Sequence, residues 1–196
     1  MAGKVNVAEK AHDDVKVFGF WIYLMTDLVI FAVLFAAFVV LRFNTFSGPT
    51  AKELFEMSSA FQETIILLTS SFTCALASYS AYVQKKKSAI FWFAITIVLG
   101  ITFLCLEALE FKKFIEDGAG PNRSAFLSSF FALVGTHGFH VSIGLLWMLI
   151  TMITIGFRGL TEPTLSRLFR VAYFWHFLDV IWIFIFTVVY GMGHLL

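Results

Sequence analysis

The amino-acid sequence predicts an all-α integral membrane protein, a bundle of five transmembrane helices. Of the 196 residues, 59% are hydrophobic and only 14% are charged, and the mean hydropathy is +0.86. A soluble domain is about 45–50% apolar and about 25% charged. The apolar residues fall into five runs, each long enough to cross a hydrocarbon core of about 30 Å. The net charge of +1 gives no reason to expect a nucleic-acid partner.

The polar segment 1–16 carries charges of both signs and is predicted to be an N-terminal tail outside the membrane. The first span is predicted at 17–41, and Gly48 and Pro49 lie in the loop that follows it. The apolar run of this span is too long for a cleavable signal peptide and lacks a small-residue cleavage site, so we expect it to be retained.

The second span is predicted at 60–83 and the third at 89–111, joined by the basic loop Lys85–Lys87. The second span contains small residues at helical spacing, Ser70, Cys74 and Ser78 among them. Small residues on a membrane helix let another helix approach closely. We therefore predict that this face of the second span is a packing face.

The fourth span is predicted at 125–157, which is longer than a bilayer requires, and Pro163 is expected to break the chain after it. The fifth span is predicted at 171–193. Neither a repeat nor a linker divides the sequence, so residues 17–196 are predicted to form one membrane domain.

The basic residues predict the orientation, because cytoplasmic loops carry an excess of Lys and Arg. The N-terminal tail, the Lys85–Lys87 loop and the Arg158–Arg170 loop together hold nine of them, against five on the opposite side. The N-terminus is therefore predicted to be cytoplasmic and the C-terminus periplasmic.

Asp27 is the first polar residue that needs an explanation, because it lies roughly 15 Å into the first span at 1.5 Å per residue. A charged carboxylate without a partner is costly at that depth. Two interpretations stay open. Asp27 is either a proton-active group near a lipid cleft or a neutral carboxyl that hydrogen-bonds to a neighbouring helix.

The apolar stretch Phe130–Trp147 contains His137 and His140 among three glycines. Counted from its cytoplasmic end, the fifth span places His176 at the depth of His140 and Asp179 at the depth of His137. We therefore predict that the fourth and fifth spans pack antiparallel and that these polar side chains face each other.

His140 and His176 could in principle ligate a haem from its two sides, and a haem-binding membrane anchor is one alternative function. Zinc or copper would need further ligands. Cys74 and Cys105 lie elsewhere in apolar runs and lack the CxxC spacing of metal or redox sites, so we interpret them as buried apolar residues. We predict no metal or haem in this chain.

Glu107 and Glu110 lie where the third span reaches the outer interface. They are predicted to be solvated there, or paired with nearby Lys112, Lys113 or Arg123. Nucleotide-binding loops, nucleophile elbows and Ser-His-Asp patterns do not occur, so the sequence predicts no catalytic site. A small proton or ion transporter that uses Asp27 and Asp179 is a further alternative, although inverted repeats are missing.

Two long blocks, GTHGFHV at 135–141 and WHFLDVIW at 175–182, resemble subunit III of the haem–copper terminal oxidases. Five spans and a short polar tail are most similar to the bacterial ubiquinol oxidase branch of the cytochrome o type. The resemblance extends from about Lys16 to the C-terminus. Its matching segments are Phe18–Ala36, Pro49–Thr73, Leu106–Phe111, Asp117–Met148 and Phe174–Gly193.

The resemblance implies a non-catalytic subunit of a proton-pumping complex in the bacterial inner membrane. Subunit III of this family holds no haem or copper; both belong to subunit I, its main partner, beside subunits II and IV. It also implies bound phospholipid and a stabilising effect on subunit I. We expect subunit I to contact the small-residue faces of the second and fourth spans. Many family members have glutamate where this chain has Asp27, so its carboxyl reaches one methylene less far.

Overall fold

The computed structural model describes residues 2–45 and 57–191, with side chains from residue 15 onward. Five long helices occupy nearly all of this part of the chain, and each is long and apolar enough to cross a membrane. The predicted fold class is therefore confirmed. The helices are α1 (Ala2–Leu41), α2 (Met57–Tyr82), α3 (Lys86–Glu116), α4 (Ala125–Arg158) and α5 (Glu162–Ile185), and a π-helical turn (Phe186–Gly191) continues α5.

Four helices begin earlier than the predicted spans, and the difference is largest for α1 and α5. Helix α1 starts at Ala2, so the polar segment continues the helix of the first span. Helix α5 starts at Glu162, because Pro163 lies in its first turn, where the fixed φ of proline suits a helix and its missing N–H costs nothing. The side chain of Thr164 accepts a hydrogen bond from the backbone N–H of Thr161, at 2.7 Å, and caps this start.

Short connections hold α3, α4 and α5 close in sequence and space. Helix α3 ends with Gly118 at φ +77°, a left-handed conformation that favours glycine. Helix α4 begins after Ser124, whose hydroxyl accepts a hydrogen bond from the N–H of Leu127 at 3.2 Å. It ends at Gly159, with φ +76°. The short connections between these capped ends let consecutive helices pack against each other.

Helices α2, α3, α4 and α5 form a closed ring in which each packs against its two neighbours, and α2 and α3 share the most extensive contact. Helix α1 lies outside this ring and packs against α4 and α5. The predicted antiparallel packing of the fourth and fifth spans is confirmed. The four-helix ring forms the core, and α1 covers one side of it.

The small-residue face of α2 is buried inside the ring. Ser70, Cys74 and Ala77 are all fully buried, and Thr73 hydrogen-bonds to Thr96 of α3 at 2.8 Å. The expectation that subunit I would contact this face of α2 is therefore wrong. Small residues permit close approach to any helix, and here α3 belongs to the same chain.

Two tryptophans of α5 connect it to α2. The indole N–H of Trp175 donates to the hydroxyl of Ser70 at 3.1 Å, and that of Trp182 donates to the hydroxyl of Thr64 at 3.1 Å. Both indoles are 1% exposed. Buried indole N–H groups need such partners, so these two hydrogen bonds fix the register of α5 against α2.

Candidate functional site

Most of the candidate polar residues are arranged in three groups at different helix contacts. The first is the Asp27–His140 pair between α1 and α4. The second is the Ser71–His176–Asp179 group between α2 and α5. The third, which we call the carboxyl cluster, contains Glu63 of α2, Glu107 and Glu110 of α3, and Tyr190 of the π-helical turn.

In the first group, an Asp27 carboxyl oxygen, Oδ1, lies 3.8 Å from Nε2 of His140, and Asp27 is only 4% exposed. Nδ1 of His140 is 2.8 Å from the backbone carbonyl of Thr136. Because a carbonyl only accepts hydrogen bonds, Nδ1 must carry a proton, which leaves Nε2 facing Asp27. The structure therefore places Asp27 beside His140 of a neighbouring helix, at a distance longer than a hydrogen bond, and both interpretations of Asp27 stay open.

In the second group, Nδ1 of His176 lies 2.7 Å from the hydroxyl of Ser71 and 3.8 Å from a carboxyl oxygen of Asp179. A catalytic triad needs the serine and the acid on opposite ring nitrogens. Here both approach the same nitrogen, so the histidine cannot relay a proton between them. This geometry suits a polar contact between α2 and α5.

His137 is fully buried, and neither ring nitrogen has a hydrogen-bond partner among the described residues. Its ring lies against Trp182, with 5.2 Å between centroids, and against Phe103 at 6.0 Å. The predicted pairing of His137 with Asp179 is therefore wrong. Counting residues along a span gives the depth of a side chain in the membrane. Which helix the side chain contacts depends instead on its direction around the helix axis.

The same reasoning applies to His140 and His176, which the sequence analysis placed face to face. His140 contacts α1 through Asp27, and His176 contacts α2 through Ser71. Across residues 2–45 and 57–191, no group of three or more His, Cys, Asp or Glu side chains is arranged to hold a metal ion.

Glu107 is 4% exposed, so the prediction that it is solvated at the interface is wrong. Its carboxyl fills the space left by Gly138 of α4, where a Cβ atom would lie 2.8 Å from Oε1 of Glu107. Because Gly138 has no side chain, it leaves room for the Glu107 carboxyl between α3 and α4. Nearby Lys112 pairs with Glu116 at 3.6 Å, on the exposed side of α3.

Glu110 is half-buried and accepts a hydrogen bond from the hydroxyl of Tyr190 at 3.0 Å. Glu63 of α2 is fully buried, and both Glu63 and Glu110 are near enough to Glu107 to act on its charge. Two helices and the π-helical turn therefore place three carboxyls and a phenol in one region.

Glu63 and Tyr190 belong to this group but were not among the candidates from the sequence. By position, Glu63 lies near the start of the predicted second span, where a charged residue is expected to reach the interface. Its spacing could have identified it, because Glu63, Leu67, Ser70 and Cys74 follow helical periodicity and all four are buried. No comparable signal marks Tyr190, whose position depends on the π-helical turn.

Comparison with known proteins gives matches along almost the whole chain. The family model described as cytochrome c oxidase subunit III matches residues 6–194. Cytochrome bo(3) ubiquinol oxidase subunit 3 of Pseudomonas aeruginosa is 52% identical, over 95% of this chain and 90% of its own length. Quinol oxidase subunit 3 of Bacillus subtilis is 45% identical over 91% and 87%, respectively. Cytochrome c oxidase subunit 3 of Bacillus sp. (strain PS3) is 46% identical over 91% and 86%.

Proposed function

The chain belongs to the cytochrome c oxidase subunit III family, and we propose that it is the subunit III of a bacterial cytochrome o ubiquinol oxidase. Such a complex oxidises ubiquinol, reduces dioxygen to water and pumps protons across the inner membrane. The observation that carries the proposal is the 52% identity, over nearly the full length of both chains, to a protein named as that subunit.

In this complex the chain acts without a catalytic site of its own. It stabilises the catalytic subunit I, which holds the haems and copper, and contacts subunits II and IV. The arrangement of the histidines supports this role, because His140 and His176 lie against different helices of their own chain. The N-terminus lies in the cytoplasm and the C-terminus in the periplasm, as the distribution of Lys and Arg indicates.

Bound phospholipid is part of the proposal, and the position of α1 supports it. Helix α1 packs on one side only, against α4 and α5. Its other side has an open apolar groove, lined by Phe18, Trp21, Ile22, Met25, Thr26 and Val29. Acyl chains or helices of a partner subunit fit such a surface, because both are as apolar as its lining.

The test is affinity purification of the tagged full-length chain from its native membranes in mild detergent. We expect a large haem-containing subunit to co-purify together with ubiquinol oxidase activity. After the partners are removed, the isolated chain is expected to have no Soret band. A Soret band that stays with the isolated chain would instead support the haem-binding anchor, and purification without any haem protein would contradict the proposal.

The second candidate is subunit III of a cytochrome c oxidase, because a relative with that name is 46% identical over 91% of this chain. The same purified complex distinguishes the two. Electron donation from ubiquinol but not from cytochrome c supports the quinol oxidase, and the reverse preference supports the second candidate.

A further inference from the structure

The carboxyl cluster contains acidic groups that the proposed function does not use. Glu63 is completely buried and Glu107 is 4% exposed. Within the described residues, no hydrogen bond reaches any of their four carboxyl oxygens. Helices α2 and α3 share the most extensive contact of the bundle. Glu63 of α2 interacts electrostatically with Glu107 and Glu110 of α3 across this contact.

Such an arrangement is unfavourable if both carboxyls are charged. Desolvation strongly disfavours a buried ion unless an opposite charge or hydrogen bonds compensate it. Within the described residues, the charges that act on Glu63, Glu107 and Tyr190 are those of carboxyls, namely Glu63, Glu107 and Glu110. Helix α4 contributes Gly138 at the contact, and α5 contributes Trp182, whose N–H already donates to Thr64.

Two carboxyls that cannot both be charged can still meet each other's hydrogen-bonding needs. A protonated carboxyl donates one hydrogen bond, and an ionised one accepts, so a pair that retains a proton supplies its own donor. Ordered water can complete the remaining hydrogen bonds, because a buried site that offers two to four polar partners suits a water molecule.

We propose that the carboxyl cluster is a proton-binding site within the membrane. Glu63 and Glu107 retain at least one proton at neutral pH, shared through a bridging water, because no direct hydrogen bond joins their carboxyl oxygens in the described residues. Glu110 connects this pair to the aqueous phase.

The exchange step is a simple proton transfer without redox chemistry. Glu110 is only half-buried, so its carboxylate can take a proton from the aqueous phase. It then passes the proton to the buried pair through the bridging water, since no direct hydrogen bond joins Glu110 to Glu63 or Glu107 in the described contacts. The hydroxyl of Tyr190, which donates to Glu110 at 3.0 Å, holds this carboxyl in place during the exchange. Because the inference concerns groups of this chain alone, it does not depend on which oxidase contains the chain.

The test uses infrared spectroscopy of the full-length chain, purified with its co-purifying subunits and labelled with carbon-13 glutamate. A protonated carboxyl has a carbonyl stretching band that an ionised one lacks, and the label assigns the band to glutamate. We expect such a band at neutral pH, with a shift to lower frequency in D2O. The band's contribution from this chain is read from the difference between the unmodified protein and each variant. Glu63→Gln or Glu107→Gln should remove about half or more of this contribution or shift it, and the double variant should remove all of it, because coupled groups titrate as a pair.

Glu116→Gln is the matched control, since Glu116 lies at the end of the same helix but is exposed beside Lys112. Its substitution should leave the band unchanged. Glu110→Gln should retain the band and slow its shift after transfer to D2O. A band that is missing from the unmodified protein overturns the proposal even if every variant fails to fold. A band unaffected in both single variants overturns the assignment, and an unchanged exchange rate in Glu110→Gln overturns the entry route.

Discussion

At the contact between α1 and α4, the length of one side chain limits the strength of the interaction. The 3.8 Å that separates Asp27 from Nε2 of His140 is longer than a hydrogen bond of 2.7–3.2 Å. A carboxyl with one more methylene could cover this distance without a shift of the backbone. Asp27 therefore holds α1 less firmly than a glutamate at this position would.

We predict that Asp27→Ala destabilises the protein by about 1 kcal/mol, because it removes the carboxyl that faces Nε2 of His140 across the contact between α1 and α4. Asp27→Glu is expected to match or exceed the stability of the unmodified protein. Thermal unfolding in detergent measures both effects. Thr26→Ala is the control, since Thr26 is exposed and hydrogen-bonds only to its own helix in the described contacts. A destabilisation no larger than that of the control would contradict the prediction.

The two buried tryptophans of α5 give a second prediction at this scale. Trp175→Phe and Trp182→Phe remove the N–H donors to Ser70 and Thr64 and leave part of the indole space empty. Each should lower stability by about 1–2 kcal/mol. Trp21→Phe, at an indole that is 48% exposed, should have little effect in the same unfolding measurement. Equal effects at all three positions would show that the hydrogen bonds contribute nothing.

The carboxyl cluster shows where sequence reasoning about single residues fails. Counting residues from the ends of a span gave the depths of Glu107 and Glu110, but not their directions. The direction of Glu107 depends on Gly138, more than thirty residues away in sequence. Only the three-dimensional contact between α3 and α4 brings these two positions together.

Among the helices, α3 and its neighbours depend on a close approach at Gly100. A Cβ atom at this position would lie 2.8 Å from Cη2 of Trp175 and 2.7 Å from a methyl group of Leu145. The indole is rigid and already hydrogen-bonded, so it cannot move aside freely. Gly100 thus permits α3, α4 and α5 to pack at their observed separations.

Gly100→Ala should therefore destabilise the bundle by about 1–3 kcal/mol, as overpacked cores do. Gly19→Ala is the matched control on α1, where a new Cβ meets nothing within 4 Å. There alanine should stabilise the helix by up to about 1 kcal/mol. Equilibrium unfolding of the two variants in the same detergent gives the comparison, and a neutral Gly100→Ala would refute the close-packing argument.

The helices themselves were largely predictable because length and hydropathy alone decide whether a segment spans a bilayer. The residues at which the helices begin and end were less predictable. Pro163 was interpreted as a helix breaker, although a proline in the first turn is compatible with a helix start. The hydrogen bond between Thr161 and Thr164 stabilises a helix start at this proline.

At the scale of the whole molecule, the sequence did not predict which helices pack against each other. Faces toward lipid and faces toward protein are both apolar in a membrane protein, so hydropathy does not distinguish them. The sequence therefore gave no indication that α2 to α5 form a ring with α1 outside it. Short loops predict contacts only between helices that are consecutive in sequence, such as α4 and α5.

Orientation can be tested at this scale with thiol labelling. In a variant with Cys105→Ser, which removes the exposed natural thiol, Gly120→Cys should react with a membrane-impermeant maleimide added to intact cells. A cysteine at Gln84, in the basic loop, should react only after the cells are opened. The expectation follows from the excess of Lys and Arg on the cytoplasmic side, and the opposite pattern would place the N-terminus outside.

The position of α1 outside the ring has a consequence for biosynthesis. Ribosomes deliver α1 to the membrane first, but its packing partners α4 and α5 are the last two helices to be made. At typical translation rates α1 remains in lipid without them for on the order of ten seconds. Its largely exposed apolar surface suits this interval, and Asp27 meets His140 only after translation has reached the fourth helix.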